Sequence, residues 1–148
     1  MDYASRRAVA ADRDWLWATK TRCLRAYIEQ TYGPWDEEIQ RARFDTTFIP
    51  EEIHIVSLDG RDAGYIAARQ DSDVIHLFNL MIAPEFQNRG LGTAVLQNLL
   101  ALAQERRKPV RLQVMKVNPA RRLYERMGFA VIPAEETPTH YRMIWQPT

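Results

Sequence analysis

Two periodicities alternate along the chain. Apolar residues at every second position mark a half-buried strand, and apolar residues three and four apart mark an amphipathic helix. Ser5 to Ala10 reads as a first short strand, and Asp12 or Asp14 is placed to cap a helix from about Trp15 to Gln30, which Gly33-Pro34 stops. Trp15 and Trp17 cannot share one helix face, so one is expected in the core and the other partly exposed. A second helix starts near Trp35-Asp36 and ends before Pro50, with acids in its first turn, where the helix dipole favours them. Ile53, Ile55 and Ser57 alternate with His54 and Val56; Asp59-Gly60 signals a tight hairpin, and Ala63 to Arg69 returns as the next strand. After the Asp71-Ser72-Asp73 turn, Val74 to Ile82 is apolar on both faces toward its end, as in a central strand. Leu91, Val95, Leu96, Leu99, Leu100 and Leu102 give an apolar stripe to a helix that reaches Arg107. Beyond Pro109, Val110 to Val117 reads as a strand, and Asn118-Pro119 starts a short helix, Ala120 to Met127, ended by Gly128. Phe129 to Ile132 and His140 to Trp145 are the last strands. The order β-α-α-β-β-β-α-β-α-β-β predicts an α/β fold: one domain, residues 1–148, with a mixed, mostly antiparallel twisted sheet flanked by helices.

The length suits one domain with a real core, and the composition, 46% hydrophobic and 26% charged, is ordinary. A formal net charge of +1 disfavours a general nucleic-acid binder. No signal-like stretch follows Met1 and no run is long and apolar enough to span a membrane, so a cytoplasmic protein without nucleic-acid or membrane partners is expected. The single cysteine, Cys23, falls in a helical pattern with Leu16, Leu24, Tyr27 and Ile28 and reads as a small buried hydrophobe. No metal site is expected.

The candidate chemistry centres on Gln87-Asn88-Arg89-Gly90-Leu91-Gly92-Thr93, between the central strand and the striped helix. A strand, a loop with two glycines and a helix make a pocket of unpaired backbone amides at a helix N-terminus, which favours phosphate. Two familiar phosphate-binding designs fail here. No Gly-x-x-x-x-Gly-Lys-Ser/Thr string is present, and Val95 holds the third glycine position of a dinucleotide fingerprint.

A third design matches. Leu80-Met81-Ile82-Ala83-Pro84-Glu85-Phe86 followed by Gln87-x-x-Gly90-x-Gly92 resembles the acyl-CoA loop of the GNAT superfamily of N-acetyltransferases. Asn118-Pro119-Ala120-Arg121-Arg122-Leu123-Tyr124-Glu125-Arg126-Met127-Gly128-Phe129 is similar to that superfamily's second signature, and the element order agrees over most of the chain. The resemblance implies that backbone groups of Leu80, Met81 and Ile82 pair with the pantetheine arm of acetyl-CoA or another short acyl-CoA, as an added strand would. It implies that the pyrophosphate rests on the amides of Asn88, Arg89, Gly90, Leu91, Gly92 and Thr93, with Arg89 adding charge, and that Gln87 belongs to the same cofactor site. Gly90 and Gly92 let the backbone approach without a Cβ in the way. The implied reaction is direct attack of a primary amine on the thioester in a ternary complex, with a backbone N–H near Met81 polarising the carbonyl and Tyr124 protonating the departing thiolate. The family asparagine lies seven residues before that tyrosine; here Val117 holds the position, and Asn118, one residue late, either reaches the cofactor or only caps its helix.

The general base is where the chain departs from the family. Several members carry a glutamate at the position aligned with Gln113, and glutamine cannot take a proton. His54 and His76 read as half-buried sheet residues. His140, opening the last strand, is the best imidazole candidate; Glu29, Glu37, Glu38 or ordered water are the alternatives. The acceptor, a small-molecule or peptide amine, is expected near Tyr27, Tyr32 and Trp35, whose acidic neighbours suit a cation, with Asn79 orienting a water or the substrate. A homodimer is a family-level expectation. Two functions follow: an acetyl-CoA-dependent N-acyltransferase, or a non-catalytic acyl-CoA-binding module on the same fold.

Overall fold

The computed structural model describes all residues, Met1–Thr148. Seven strands, β1 (Ala4–Arg7), β2 (Ile53–Leu58), β3 (Arg61–Gln70), β4 (Ile75–Ile82), β5 (Val110–Met115), β6 (Ala130–Val131) and β7 (His140–Trp145), form one sheet in the order β1-β2-β3-β4-β5-β7-β6. The β4–β5 pair is parallel; β1–β2, β2–β3, β5–β7 and β6–β7 are antiparallel. Four helices interleave with the strands: α1 (Arg13–Tyr32), α2 (Glu37–Thr47), α3 (Leu91–Glu105) and α4 (Ala120–Arg126). The expected α/β order is the observed one, with short 3-10 turns added at Ala10–Asp12, Pro50–Glu52, Pro84–Phe86 and Pro133–Glu135. Three of these turns begin with proline, which pre-sets the backbone for a turn but cannot extend a strand.

Contacts within the chain gather into two compact units, Met1–Ala67 with Asn79–Leu91, and Ala68–Phe78 with Gly92–Thr148. In the first unit, Leu16 of α1 and Phe44 of α2 are buried with Ile53, Ile55, Tyr65, Ala67 and Met81 of the strands. Trp15 and Trp17 are both partly buried against this cluster, so the expected split between a core and an exposed tryptophan does not occur. The reason is that α2 covers a second flank of α1: Trp17 sits 6.0 Å from Trp35 and 5.5 Å from Phe44, ring centre to ring centre. Asp12 stands before α1 as expected, yet its carboxylate accepts from Val9 N at 2.8 Å and pairs with Arg6 instead of capping the helix amides. Asp36 does cap α2, accepting from Ile39 N at 3.0 Å. Val56, expected on the outer face of β2, is buried beside Ile55, because the β2–β3 register slips between Val56 and Ser57. The hairpin that follows turns through Asp59 (φ 54°) and Gly60 (φ 77°), the two left-handed residues a tight two-residue hairpin needs.

In the second unit, Ile75 and Leu77 of β4, Val95, Leu96 and Leu100 of α3, Val110 and Leu112 of β5, and Met143 of β7 are buried. Gly128, at φ 99°, ends α4 in the left-handed conformation that favours glycine.

Candidate active site

The parallel ladder between β4 and β5 runs over Ile75, His76 and Leu77 and stops there, while β4 itself continues to Ile82. A Cβ on Gly64 of β3 would collide with the Met81 carbonyl oxygen, and Ala83 N donates to Ala63 O at 2.8 Å. Met81 and Ala83 therefore turn their backbone groups to β3. Strand alternation turns those of Leu80 and Ile82 to the opposite edge. The Ile82 carbonyl on that edge is already occupied: it accepts from Gln87 Nε2 at 2.8 Å and from Cys23 Sγ at 3.2 Å. Burial pushes the Cys23 thiol up to about 11, so it stays protonated and can donate. The open groups on the edge are thus the Leu80 backbone and the Ile82 amide. These two contacts explain residues whose sequence reading was different: Cys23 is a donor as well as a packed side chain, and Gln87 braces the end of β4.

Beyond Ile82 the chain makes the turn Pro84–Phe86, anchored by Phe86, which is buried, and by the Glu85–Arg22 ion pair at 2.6 Å. Arg61 and Arg89 place their guanidinium carbons 4.9 and 5.5 Å from the Phe86 ring centre. Asn88 (φ 61°) and Gly90 (φ 85°) are left-handed, with Arg89 between them in the ordinary range. Backbone that alternates in this way points successive N–H groups to one side and makes an anion-binding concavity. It leads into α3 at Leu91, whose first amides, including those of Gly92 and Thr93, have no partner inside the helix.

The second unit carries Tyr124, Asn118, Gln113 and His140. Tyr124 lies on α4, its ring buried and edge-on to Phe129 at 5.6 Å. Burial pushes its hydroxyl up to about 12, so it keeps its proton at any ordinary pH. Of the two roles left open for Asn118, the structure displays the cap: its Oδ1 accepts from Ala120 N at 2.9 Å. Gln113 is exposed on β5, directly opposite Arg142 of β7, and Met115 stands opposite His140. His140 is half-buried, and its Nδ1 lies 2.7 Å from Thr139 Oγ1. Burial, then the charge of Arg142, lowers its pKa from the ordinary 6.5, so the ring is neutral near pH 7.

The residues expected around the acceptor all fall in the first unit, Asn79 half-buried on β4 at its margin. Trp35 lines a groove of about 640 Å³ between α1 and α2 with Trp17, Lys20, Leu24 and Ile39; Tyr27 and Tyr32 do not line it. Three of the acids there are occupied: Glu37 accepts from Trp35 Nε1 at 2.5 Å, Asp36 caps α2, and Glu29 pairs with Arg25 at 3.0 Å. Lys20 in the groove is desolvated, which lowers its pKa. A second concavity, of about 410 Å³, lies wholly in the second unit and is lined by His76, Leu77, Phe78, Arg111, Leu112, Gln113 and Arg142. Sequence reading missed it, although strand alternation puts Arg111 and Gln113 on one face.

The geometry agrees with three comparisons. The profile of the acetyltransferase (GNAT) family matches residues 15–129. An uncharacterized N-acetyltransferase of Methanocaldococcus jannaschii is 31% identical over 108 residues, spanning 63% of this chain and 69% of the relative. Among solved structures, the PaiA N-acetyltransferase of Thermoplasma acidophilum, in complex with coenzyme A, superposes with a TM-score of 0.75 at 17% identity, covering 99% of each chain. The ribosomal-protein-S18-alanine N-acetyltransferase of Escherichia coli gives a TM-score of 0.69 at 20% identity, over 99% of this chain and 95% of that one. The open edge of β4, the left-handed loop behind it and a family match over most of the length lead to one conclusion: this chain belongs to the GNAT family of acetyltransferases.

Proposed function

We propose that the protein is an acetyl-CoA-dependent N-acyltransferase acting on a primary amine. One observation carries the reading: β4 outruns its β5 ladder after Leu77 and runs directly into a loop left-handed at Asn88 and Gly90. The Leu80 carbonyl and the Ile82 amide pair with the pantetheine amides in the manner of an added strand, which leaves the Leu80 amide open on that edge. The pyrophosphate takes the amides from Asn88 to Thr93, and the dipole of α3 favours its charge. The PaiA N-acetyltransferase of the same fold, solved in complex with coenzyme A, supports this reading.

In the reaction, the acceptor ammonium first gives up a proton, because only the neutral amine has a lone pair. Neutral His140, directly or through water, is the imidazole that suits this step. The amine nitrogen then bonds to the thioester carbon, and an amide on the open edge of β4 stabilises the oxyanion. Collapse breaks the C–S bond, its electron pair passes to sulfur, and the Tyr124 hydroxyl supplies the proton that makes the free thiol. Solvent returns that proton to the phenolate. The products are an N-acetylated amine and coenzyme A.

A protonated tyrosine buried on α4 favours chemistry over the alternative of a non-catalytic acyl-CoA module. The test is thiol release from acetyl-CoA across a panel of amines. Amine-dependent thiol with matching N-acetylated product is expected; binding of acetyl-CoA without turnover of any amine would favour the non-catalytic module.

A further inference from the structure

The second unit carries a face whose chemistry is neither that of the cofactor site nor that expected for the acceptor. His76 and Phe78 project from β4, Arg111 and Gln113 from β5, and Arg142 from β7, around a concavity of about 410 Å³. They are brought together by register: His76 stands opposite Arg111, and Gln113 opposite Arg142. Phe78 is 47% exposed, unusual for a large aromatic residue on a central strand. Its ring stacks on His76 at 6.3 Å, and the Arg69 guanidinium carbon lies 5.2 Å from its centre.

The charges are one-sided. No carboxylate lines the concavity. The nearby acids are already engaged: Glu135 with Arg111, and Asp71 with His76 at 3.0 Å as well as with the amides of Asp73 and Val74. Arg142 takes part in none of the ion pairs. It is exposed, and its fork of donors is open to solvent beside the donor and acceptor of the Gln113 amide. An exposed aromatic floor beside an unpaired guanidinium fits a ligand with an apolar body and a carboxylate.

We propose that this face receives the acceptor and selects amines that carry a carboxylate, such as an amino acid or an acidic peptide end, with Arg142 binding the carboxylate and Phe78 the apolar part. The proposal rests on the acyltransferase reading. Phe78 lies two residues before Leu80 on the same strand. Positive charge around it also favours the neutral, reactive form of the amine, which suits a chain whose Gln113 on this face cannot take a proton.

Matched pairs test this: an apolar amino acid and its carboxamide, offered with acetyl-CoA to the wild type and to Arg142→Gln. The acid should be preferred in kcat/KM by roughly tenfold or more, the worth of a charged hydrogen bond. Arg142→Gln should raise KM for the acid by a similar factor and erase the preference of acid over carboxamide, with acetyl-CoA affinity retained. Equal use of acid and carboxamide by the wild type, or an equal loss of both in the variant, overturns the proposal. If acetyl-CoA binds and no amine is turned over, the acyltransferase reading fails by itself. Titration of the same pair into the coenzyme A complex then decides this one. Binding of the acid that Arg142→Gln abolishes supports an acid-selective face, and equal or absent binding overturns it.

Discussion

Tyr124 shows how one side chain can be tuned by its surroundings alone. No charged partner sets its titration; burial on α4 raises it to about 12, so it holds the proton that the proposed acid role requires. Tyr124→Phe keeps the packing against Phe129 and removes only the hydroxyl. The account predicts a fall in kcat of roughly 10²-fold, within the range for a lost general acid, with the Kd for acetyl-CoA unchanged. Steady-state kinetics with a binding titration check it; an unaltered kcat would reduce Tyr124 to a packing residue. The tyrosine was legible because its motif is local: Leu123, Tyr124, Gly128 and Phe129 lie within one turn and its cap. The partners of the Ile82 carbonyl were not legible. Cys23 reaches it from a helix far back in the sequence, and no local pattern encodes that contact.

At the scale of elements, β3 and β4 approach so closely at Gly64 that a methyl group would strike the Met81 carbonyl backbone. Gly64→Ala should therefore destabilise the fold by about 1–3 kcal/mol, the usual cost of overpacking. Chemical denaturation measures the loss. Acetyl-CoA affinity should fall as well, because the alanine pushes Met81 and with it the edge formed by Leu80 and Ile82. Full stability and affinity in Gly64→Ala would contradict the close packing. Helices and strands were legible here because their periodicities are strong, and the hairpin at Asp59-Gly60 because its chemistry is local. The bulge at Val56 was not, since nothing in Ile53-His54-Ile55-Val56-Ser57 distinguishes a shifted register from plain alternation. The end of the β4–β5 ladder after Leu77 was not legible either, because it depends on pairing between segments distant in sequence.

For the whole molecule, two half-buried imidazoles shape the response to pH. Burial lowers the pKa of both His54 and His140 below the ordinary 6.5, helped by Arg7 and Arg142 respectively. The unfolded chain then binds more protons than the native one as the pH falls through 6.5. The histidine contribution to stability is full above that value and lost below it. Asp12, Asp71 and Glu85 extend the trend. Arg6 lowers the first, the amides of Asp73 and Val74 bring the second to about 2, and Arg22 lowers the third, so their share is present above pH ~4 and lost on further acidification. The Tm should fall steadily from pH 7 to pH 3. A Tm that rises on acidification would contradict these assignments. The order of elements was legible at this scale. The division of contacts into two units was not, because its boundaries cut β3 after Ala67 and β4 after Phe78, inside continuous strands.

The central claim is that the edge of β4 and the loop behind it bind acyl-CoA, and a calorimetric titration of the intact protein with acetyl-CoA tests it most directly. The account predicts saturable binding and a Tm that rises with ligand, with apparent stability gaining about 2.7 kcal/mol at a hundredfold excess over Kd. Placing a negatively charged side chain in the loop, Gly90→Glu, should abolish both effects while the free protein stays folded. No binding heat and no rise in Tm at millimolar acetyl-CoA would contradict the account.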